Sequence, residues 1–204
     1  MGCTSSEPNR TAQDPRFLPL ALTGEAGLLL LAWGLGRWLG ISPLQELRPS
    51  LQALVWGIAA TVPLLFGLAI MLAARSGPAR RLVSFVVEQI GPFLARCSVG
   101  ELAFLAAVAG ISEEVLFRGV IQVGLAQVLP EVWALVAASV LFGLVHFATR
   151  AYAVLAGVMG VYLGSLFLVQ GSLLAPIITH GLYDFVALLY VARIFRAAQD
   201  PLPG

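Results

Sequence analysis

The sequence predicts an all-α membrane protein, a polytopic bundle of about six transmembrane helices with one additional interfacial amphipathic helix. Hydrophobic residues make up 59% of the 204 residues, charged residues make up 11%, and the mean hydropathy is +0.90. Soluble domains average roughly 45–50% apolar and ~25% charged residues, so this composition lies outside that class. The formal net charge of +1 leaves no basic patch, which argues against nucleic acid and leaves the lipid bilayer as the expected partner.

Six apolar stretches separated by turn-forming residues support this prediction, because a bilayer core takes about 20 residues per helix. The predicted spans are Phe17–Leu39, Leu51–Ala74, Glu101–Ile121, Val132–Phe147, Ala151–Val169 and Leu173–Phe195. The stretch Arg80–Arg96 mixes apolar residues with charged ones, so it is expected to lie at the membrane interface.

Arginine placement predicts the orientation, since cytoplasmic segments carry the excess of basic residues. With both termini in the cytoplasm, nine arginines lie inside and two, Arg37 and Arg48, lie outside. Every basic residue is arginine, which suits a GC-rich, bacterial genome, so a bacterial cell inner membrane is expected. The polar tail 1–16 contains no signal peptide, and its Met1–Ser6 segment fits the myristoylation pattern too loosely to predict a lipid anchor.

Ionisable residues inside the apolar stretches are the best guide to function, because such residues are expensive in hydrocarbon. Glu114 and Arg118 are four residues apart, so they share a helical face and are expected to form a structural pair. Glu113 lies about 100° away around the helix, which leaves it as a free carboxylate available as a general base. Glu25, near the start of the first span, is expected to snorkel or cap at the interface and is given no role.

The chain contains only two histidines, and each shares a helical face with a second motif residue. Phe142 and His146 are four residues apart, as are His180 and Asp184. Three helices thus each carry a polar face, and the shared interior of the bundle is the cheapest place for all of them. The sequence lacks a His-Glu-x-x-His helix, a Gly-x-Ser-x-Gly elbow and a phosphate-binding loop.

Glu113-Glu114-x-x-x-Arg118, Phe142-x-x-x-His146 and His180-x-x-x-Asp184 together resemble the three motifs of the CAAX-protease and bacteriocin-processing (CPBP or ABI) family, which includes CAAX prenyl protease 2. The resemblance covers roughly Val99–Tyr190. It implies an intramembrane endopeptidase whose catalytic domain is 99–195, preceded by two transmembrane helices and the interfacial helix in 17–98 and followed by a short tail, 196–204.

The resemblance also implies roles for these residues. Glu113 and His146 would activate a water for attack on a peptide bond of a membrane-embedded or lipidated protein or peptide. His180 and Asp184 would stabilise the oxyanion. The third motif ends in Asn or Asp across such proteins, and Asp184 donates to an oxyanion only when protonated, so it could instead orient His180.

No cofactor is expected, although the family is also described as metalloproteases. Glu113, His146 and His180 could then supply three ligands to a divalent metal such as zinc. Two non-proteolytic functions are alternatives to the protease. A membrane scaffold or regulator of the same fold would be indicated by a degraded motif, and none is degraded. A transporter or proton relay would call for inverted repeats and broken helices.

Overall fold

The structure, a computed structural model, describes residues 17–199, which form seven helices and no strand. The predicted all-α class is confirmed. The helices are α1 (Phe17–Leu39), α2 (Leu51–Ala73), α3 (Gly77–Leu94), α4 (Val99–Ala126), α5 (Glu131–Val145), α6 (Arg150–Gln170) and α7 (Leu174–Gln199). The predicted tail 1–16, with its Met1–Ser6 segment, lies outside the described residues, as do residues 200–204.

The predicted count of six spans is not confirmed. Four helices of the described chain, α1, α2, α6 and α7, are long and apolar enough to cross a membrane. Helices α3 and α4 are bent by 116° at a short break and would make a fifth span if they act together. Helix α5 has only 15 residues, because Pro130 precedes it and His146 leaves helical geometry at its end (φ −90°, ψ 18°).

The corner between α3 and α4 is stabilised by a helix cap within the corner itself and by hydrogen bonds from the end of α7. Ser98 and Glu101 form a capping box at the start of α4, in which each side chain accepts a hydrogen bond from the other residue's backbone N–H. The Arg196 guanidinium donates to the carbonyls of Ala95 and Cys97, at distances of 2.7 and 2.8 Å. Helix α7 continues to Gln199, so residues 196–199 of the predicted C-terminal tail are helical and Arg196 bonds to the corner.

Helix α7 lies against α4 and α2, and two glycines permit the close approach. A Cβ at Gly110 of α4 would lie 2.9 Å from the backbone nitrogen of Gly181, and a Cβ at Gly57 of α2 would lie 2.8 Å from the Ile178 Cβ. Thr179 donates to the Gly57 carbonyl at 2.8 Å. Since His180 lies between these contacts, two neighbouring helices fix its backbone.

Helix α4 is π-helical from Val115 to Gln122, directly after the two adjacent glutamates. The wider turn follows the point where two carboxylates must face different neighbours, and single π-turns are frequent at functional sites. The residue pattern of this stretch does not indicate the change of helix type.

Candidate active site

The back of the site is a buried ion-pair network, called here the rear network, formed by Glu114, Arg118, His180 and the Gly160 carbonyl. Glu114 Oε1 lies 2.6 Å from Arg118 Nη1 and 2.9 Å from His180 Nδ1. Arg118 Nη2 donates to the Gly160 carbonyl of α6 at 2.9 Å. Glu114 is 0% exposed and Arg118 is 1% exposed, so the pair is removed from solvent and joins three helices.

The ring of Phe142 in α5 contacts Arg118 and both histidines. The Arg118 guanidinium lies over the ring at 4.8 Å from its centroid. The rings of His146 and His180 lie 4.4 and 6.0 Å from it, centroid to centroid. Phe142 is itself buried, so it fills the space between α4, α5 and α7 and limits the orientations open to both imidazoles.

Hydrogen bonds fix the tautomer of both histidines when they are neutral. His146 Nδ1 lies 2.8 Å from the Phe142 carbonyl, which only accepts, so Nδ1 carries the proton. His180 Nδ1 lies 2.9 Å from Glu114 Oε1, and this carboxylate is already paired with Arg118, so His180 Nδ1 also donates. Each imidazole therefore presents Nε2 to the opposite side.

The front of the site, called here the cavity face, comprises Glu113, Asp184, His146 and the Nε2 side of His180. Glu113 Oε2 lies 3.5 Å from His146 Nε2 and 3.9 Å from His180 Nε2, and Asp184 Oδ2 lies 3.4 Å from His180 Nε2. Glu113 Oε2 is buried and has no hydrogen-bond partner among the described residues. Acceptor atoms thus converge at spacings too long for direct hydrogen bonds, an arrangement that binds a small donor such as water.

A cavity of about 210 Å³ opens onto this face and extends between α2, α3, α6 and α7. Its polar end holds the four cavity-face residues together with Tyr152 and Tyr183. Its other walls are apolar and include Leu68, Val86 and Met159. The cavity can therefore take an apolar chain with one polar group at the catalytic end.

The three residues considered as zinc ligands lie together at the cavity, where Glu113 Oε2 is 3.5 Å from His146 Nε2 and 3.9 Å from His180 Nε2. Among residues 17–199, no group of three His, Cys, Asp or Glu side chains has the geometry of a metal-binding cluster. The absence of a cofactor stays a prediction.

The structure brings together all seven residues that the sequence singled out, while their catalytic roles stay predictions. Arg118 pairs with Glu114, and Glu113 faces the cavity. One orienting role differs, because Glu114 and not Asp184 holds the Nδ1 atom of His180. The sequence has no local signal for this contact, since the two residues are 66 positions apart.

Three contributors to the site were missed. The Gly160 carbonyl accepts a second hydrogen bond from Arg118, although the Gly160-x-x-x-Gly164 spacing predicted only close helix packing. Tyr152 lies in the cavity, with its ring 6.3 Å from that of His146. The interfacial interpretation of Glu25 is wrong, because its carboxyl group is half-buried and hydrogen-bonded to Ser112, the residue before Glu113.

Comparison with known proteins gives one family match. Residues 95–186 match the family model described as "Rce1-like: Type II CAAX prenyl endopeptidase Rce1-like". The family that the three motifs predicted is confirmed. The matched segment begins at the corner before α4 and ends within α7, so it contains every motif residue. No curated protein and no solved structure is similar enough to the chain to count as a match.

Over the matched segment 95–186, the similarity indicates a protease of the CAAX type, and the apolar helices together with this match indicate an integral membrane protein. Its apolar helices α1 and α2 precede the matched segment and pack against it.

Proposed function

We propose that the protein hydrolyses peptide bonds of membrane-embedded or lipidated substrates by a glutamate-activated water, without a metal. The observation that carries the proposal is the convergence of Glu113 Oε2 with the Nε2 atoms of two histidines whose Nδ1 atoms are already bonded. With both imidazoles neutral and Glu113 deprotonated, this cluster accepts hydrogen bonds and donates none, so it is suited to hold a water molecule through both of the water's hydrogens.

Glu113 is the general base of this reaction. A water held between Glu113 Oε2 and His146 Nε2 attacks the scissile carbonyl carbon, and one proton passes to Glu113. The carbonyl oxygen becomes an oxyanion. When the C–N bond breaks, Glu113 returns the proton to the leaving amine, so that a carboxylic acid and an amine are released.

His180 and Asp184 lie where the oxyanion is expected to form. In its protonated form, His180 donates from Nε2, and the rear network holds its ring in place through Glu114. Asp184 lies 3.4 Å from the same Nε2 and stabilises the imidazolium.

The substrate is a membrane protein or peptide with an apolar segment. Apolar side chains line most of the cavity that leads to Glu113, which supports an apolar chain as the part of the substrate that enters. Arginine placement supports a bacterial inner-membrane location with both termini in the cytoplasm.

The test is a comparison of protein termini in membranes from cells that express the wild-type chain or Glu113→Gln. New termini that disappear with Glu113→Gln would establish proteolysis and identify substrates together. Glu88→Gln is the matched control, since Glu88 is an exposed glutamate of α3 outside the site. It is expected to give the wild-type pattern.

Two outcomes would contradict the proposal. Identical termini with wild-type and Glu113→Gln protein at equal abundance would favour the scaffold alternative. Loss of activity of the purified protein after chelation, with recovery on adding zinc, would show that a metal is required. The expected result is full activity in the presence of the chelator.

A further inference from the structure

Ser112 has more acceptor neighbours than its single hydrogen can serve. Its hydroxyl oxygen lies 2.9 Å from the Val108 carbonyl, 3.2 Å from the Ala109 carbonyl, and within hydrogen-bond distance of Glu25 Oε2. A serine hydroxyl carries one hydrogen and two lone pairs. Both carbonyls can only accept, so only Glu25 can reverse the direction of its hydrogen bond.

A buried serine inside a helix commonly donates to the carbonyl four residues earlier, here that of Val108. The contact between Ser112 and Glu25 is then a hydrogen bond only if Glu25 carries a proton and donates it. Glu25 is half-buried on α1, a helix apolar enough to cross a membrane, and an unpaired carboxylate in such surroundings is far more costly than a neutral acid. No arginine is bonded to Glu25 among the described residues, whereas Glu114 is paired with Arg118.

The position of this contact relates it to the site. Ser112 immediately precedes Glu113 on α4, while Glu25 lies on α1, outside the segment that matches the family model. On the other side of this turn, Gly110 lies against the backbone of α7 at Gly181. The turn that carries Glu113 is therefore held between α1 and α7.

We propose that Glu25 is a protonated positioning residue, which donates a hydrogen bond to Ser112 and thereby fixes the direction of the Glu113 carboxylate. The kinetic part of this inference rests on the proposed function, whereas the protonation of Glu25 does not. A neutral Glu25 adds no negative charge to the neighbourhood of Glu113 and Asp184. Helix α1 thus supplies one residue of the site from the half of the chain that carries no motif.

Infrared spectroscopy of the full-length protein in lipid nanodiscs tests the protonation directly. We expect a carboxylic acid band at neutral pH that disappears in Glu25→Gln and moves to higher frequency in Ser112→Ala, where the acceptor is lost. A spectrum that Glu25→Gln leaves unchanged would overturn the proposal. This readout needs no substrate, so it keeps its meaning even if the protein proves to have no peptidase activity.

Kinetics of the same variants test the positioning role. Glu25→Gln keeps a neutral donor, so its kcat should stay within about twofold of wild type, while Glu25→Ala should lower kcat about tenfold with little change in KM. The kcat of the double variant Glu25→Ala/Ser112→Ala should fall no further than that of the more impaired single variant, because both substitutions remove the same hydrogen bond. Equal losses in Glu25→Gln and Glu25→Ala would show that a negative charge is needed and would overturn the proposal.

Thr23→Val is the control on the same helix. The Thr23 hydroxyl is exposed and bonds to the Pro19 carbonyl within α1, so its loss should leave kcat unchanged. A tenfold loss in Thr23→Val would mean that any change in α1 disturbs the site, and it would contradict a specific role for Glu25.

Discussion

The rear network and the cavity face contain the same kinds of side chain, two adjacent glutamates and two histidines, in opposite electrostatic situations. Glu114 lies 2.6 Å from an arginine and 2.9 Å from a histidine. Glu113, one residue away, has no contact with its histidines shorter than 3.5 Å. Short, charge-assisted hydrogen bonds hold a group in place, whereas an unsatisfied carboxylate remains free to take up a proton.

Under the proposed function, the catalytic role and the stabilising role therefore fall to neighbouring residues of one helix. Arg118 balances the charge of Glu114 at the back and contacts both Gly160 and Phe142. Its position leaves Glu113 without an arginine within salt-bridge distance among the described residues, so that only the two histidines lie near its carboxylate. The following variants separate the two contributions.

The largest expected effect is on turnover, in Glu113→Gln. Loss of the general base should lower kcat by about 10³-fold or more, because general acid–base catalysis contributes ~10²–10⁴-fold. The thermal midpoint in detergent should stay equal or rise slightly, since the amide can donate to His146 Nε2 where the carboxylate has no partner. A Glu113→Gln protein with normal turnover would contradict the division of roles.

Arg118→Leu should mainly reduce stability. Removal of one partner of a buried ion pair leaves Glu114 uncompensated, which typically costs about 3–5 kcal/mol of unfolding free energy. Combining it with Glu114→Gln should recover part of this loss, as measured by thermal unfolding in detergent. Arg48→Leu is the matched control, because the pair between Arg48 and Glu46 is on the surface and worth about 0–1 kcal/mol.

A smaller loss of unfolding free energy is expected from Gly160→Ala. An added Cβ would lie 3.1 Å from the Ser139 Cα and Cβ, so α6 must shift away from α5 and move the carbonyl that Arg118 uses. Overpacking of this kind costs about 1–3 kcal/mol. At Gly157 the nearest atom would be 3.6 Å away, so Gly157→Ala should leave the midpoint unchanged or raise it. Equal effects at both positions would contradict the packing argument.

The smallest effect is expected from Asp184→Asn. The asparagine amide can donate to an oxyanion without needing a proton, and its oxygen can still accept from His180 Nε2. We therefore expect kcat within about threefold of wild type, whereas Asp184→Ala should lose about 10²-fold. If the two variants lose equal activity, the negative charge at this position is essential.

Much of the site could be predicted from single helices. The i,i+4 spacing identified Glu114 with Arg118, Phe142 with His146, and His180 with Asp184, and each pair is in contact in the structure. The spans α1, α2, α6 and α7 also agree with their predicted positions within a few residues. The early end of α5 could not be predicted from the apolar pattern alone. The helix ends because the backbone leaves helical geometry at His146, whose Nδ1 bonds to the Phe142 carbonyl.

Helical periodicity and hydrophobicity are local properties of the chain, so the all-α membrane class and the candidate site residues could be predicted from the sequence, and the three motifs added the family resemblance. Which polar faces meet depends on how the helices pack. Glu114 bonds to His180, Arg118 to the Gly160 carbonyl and Ser112 to Glu25, across 66, 42 and 87 positions. Periodicity predicts which side of a helix is polar. Which neighbouring helix that side contacts depends on how glycines and side chains pack between the helices.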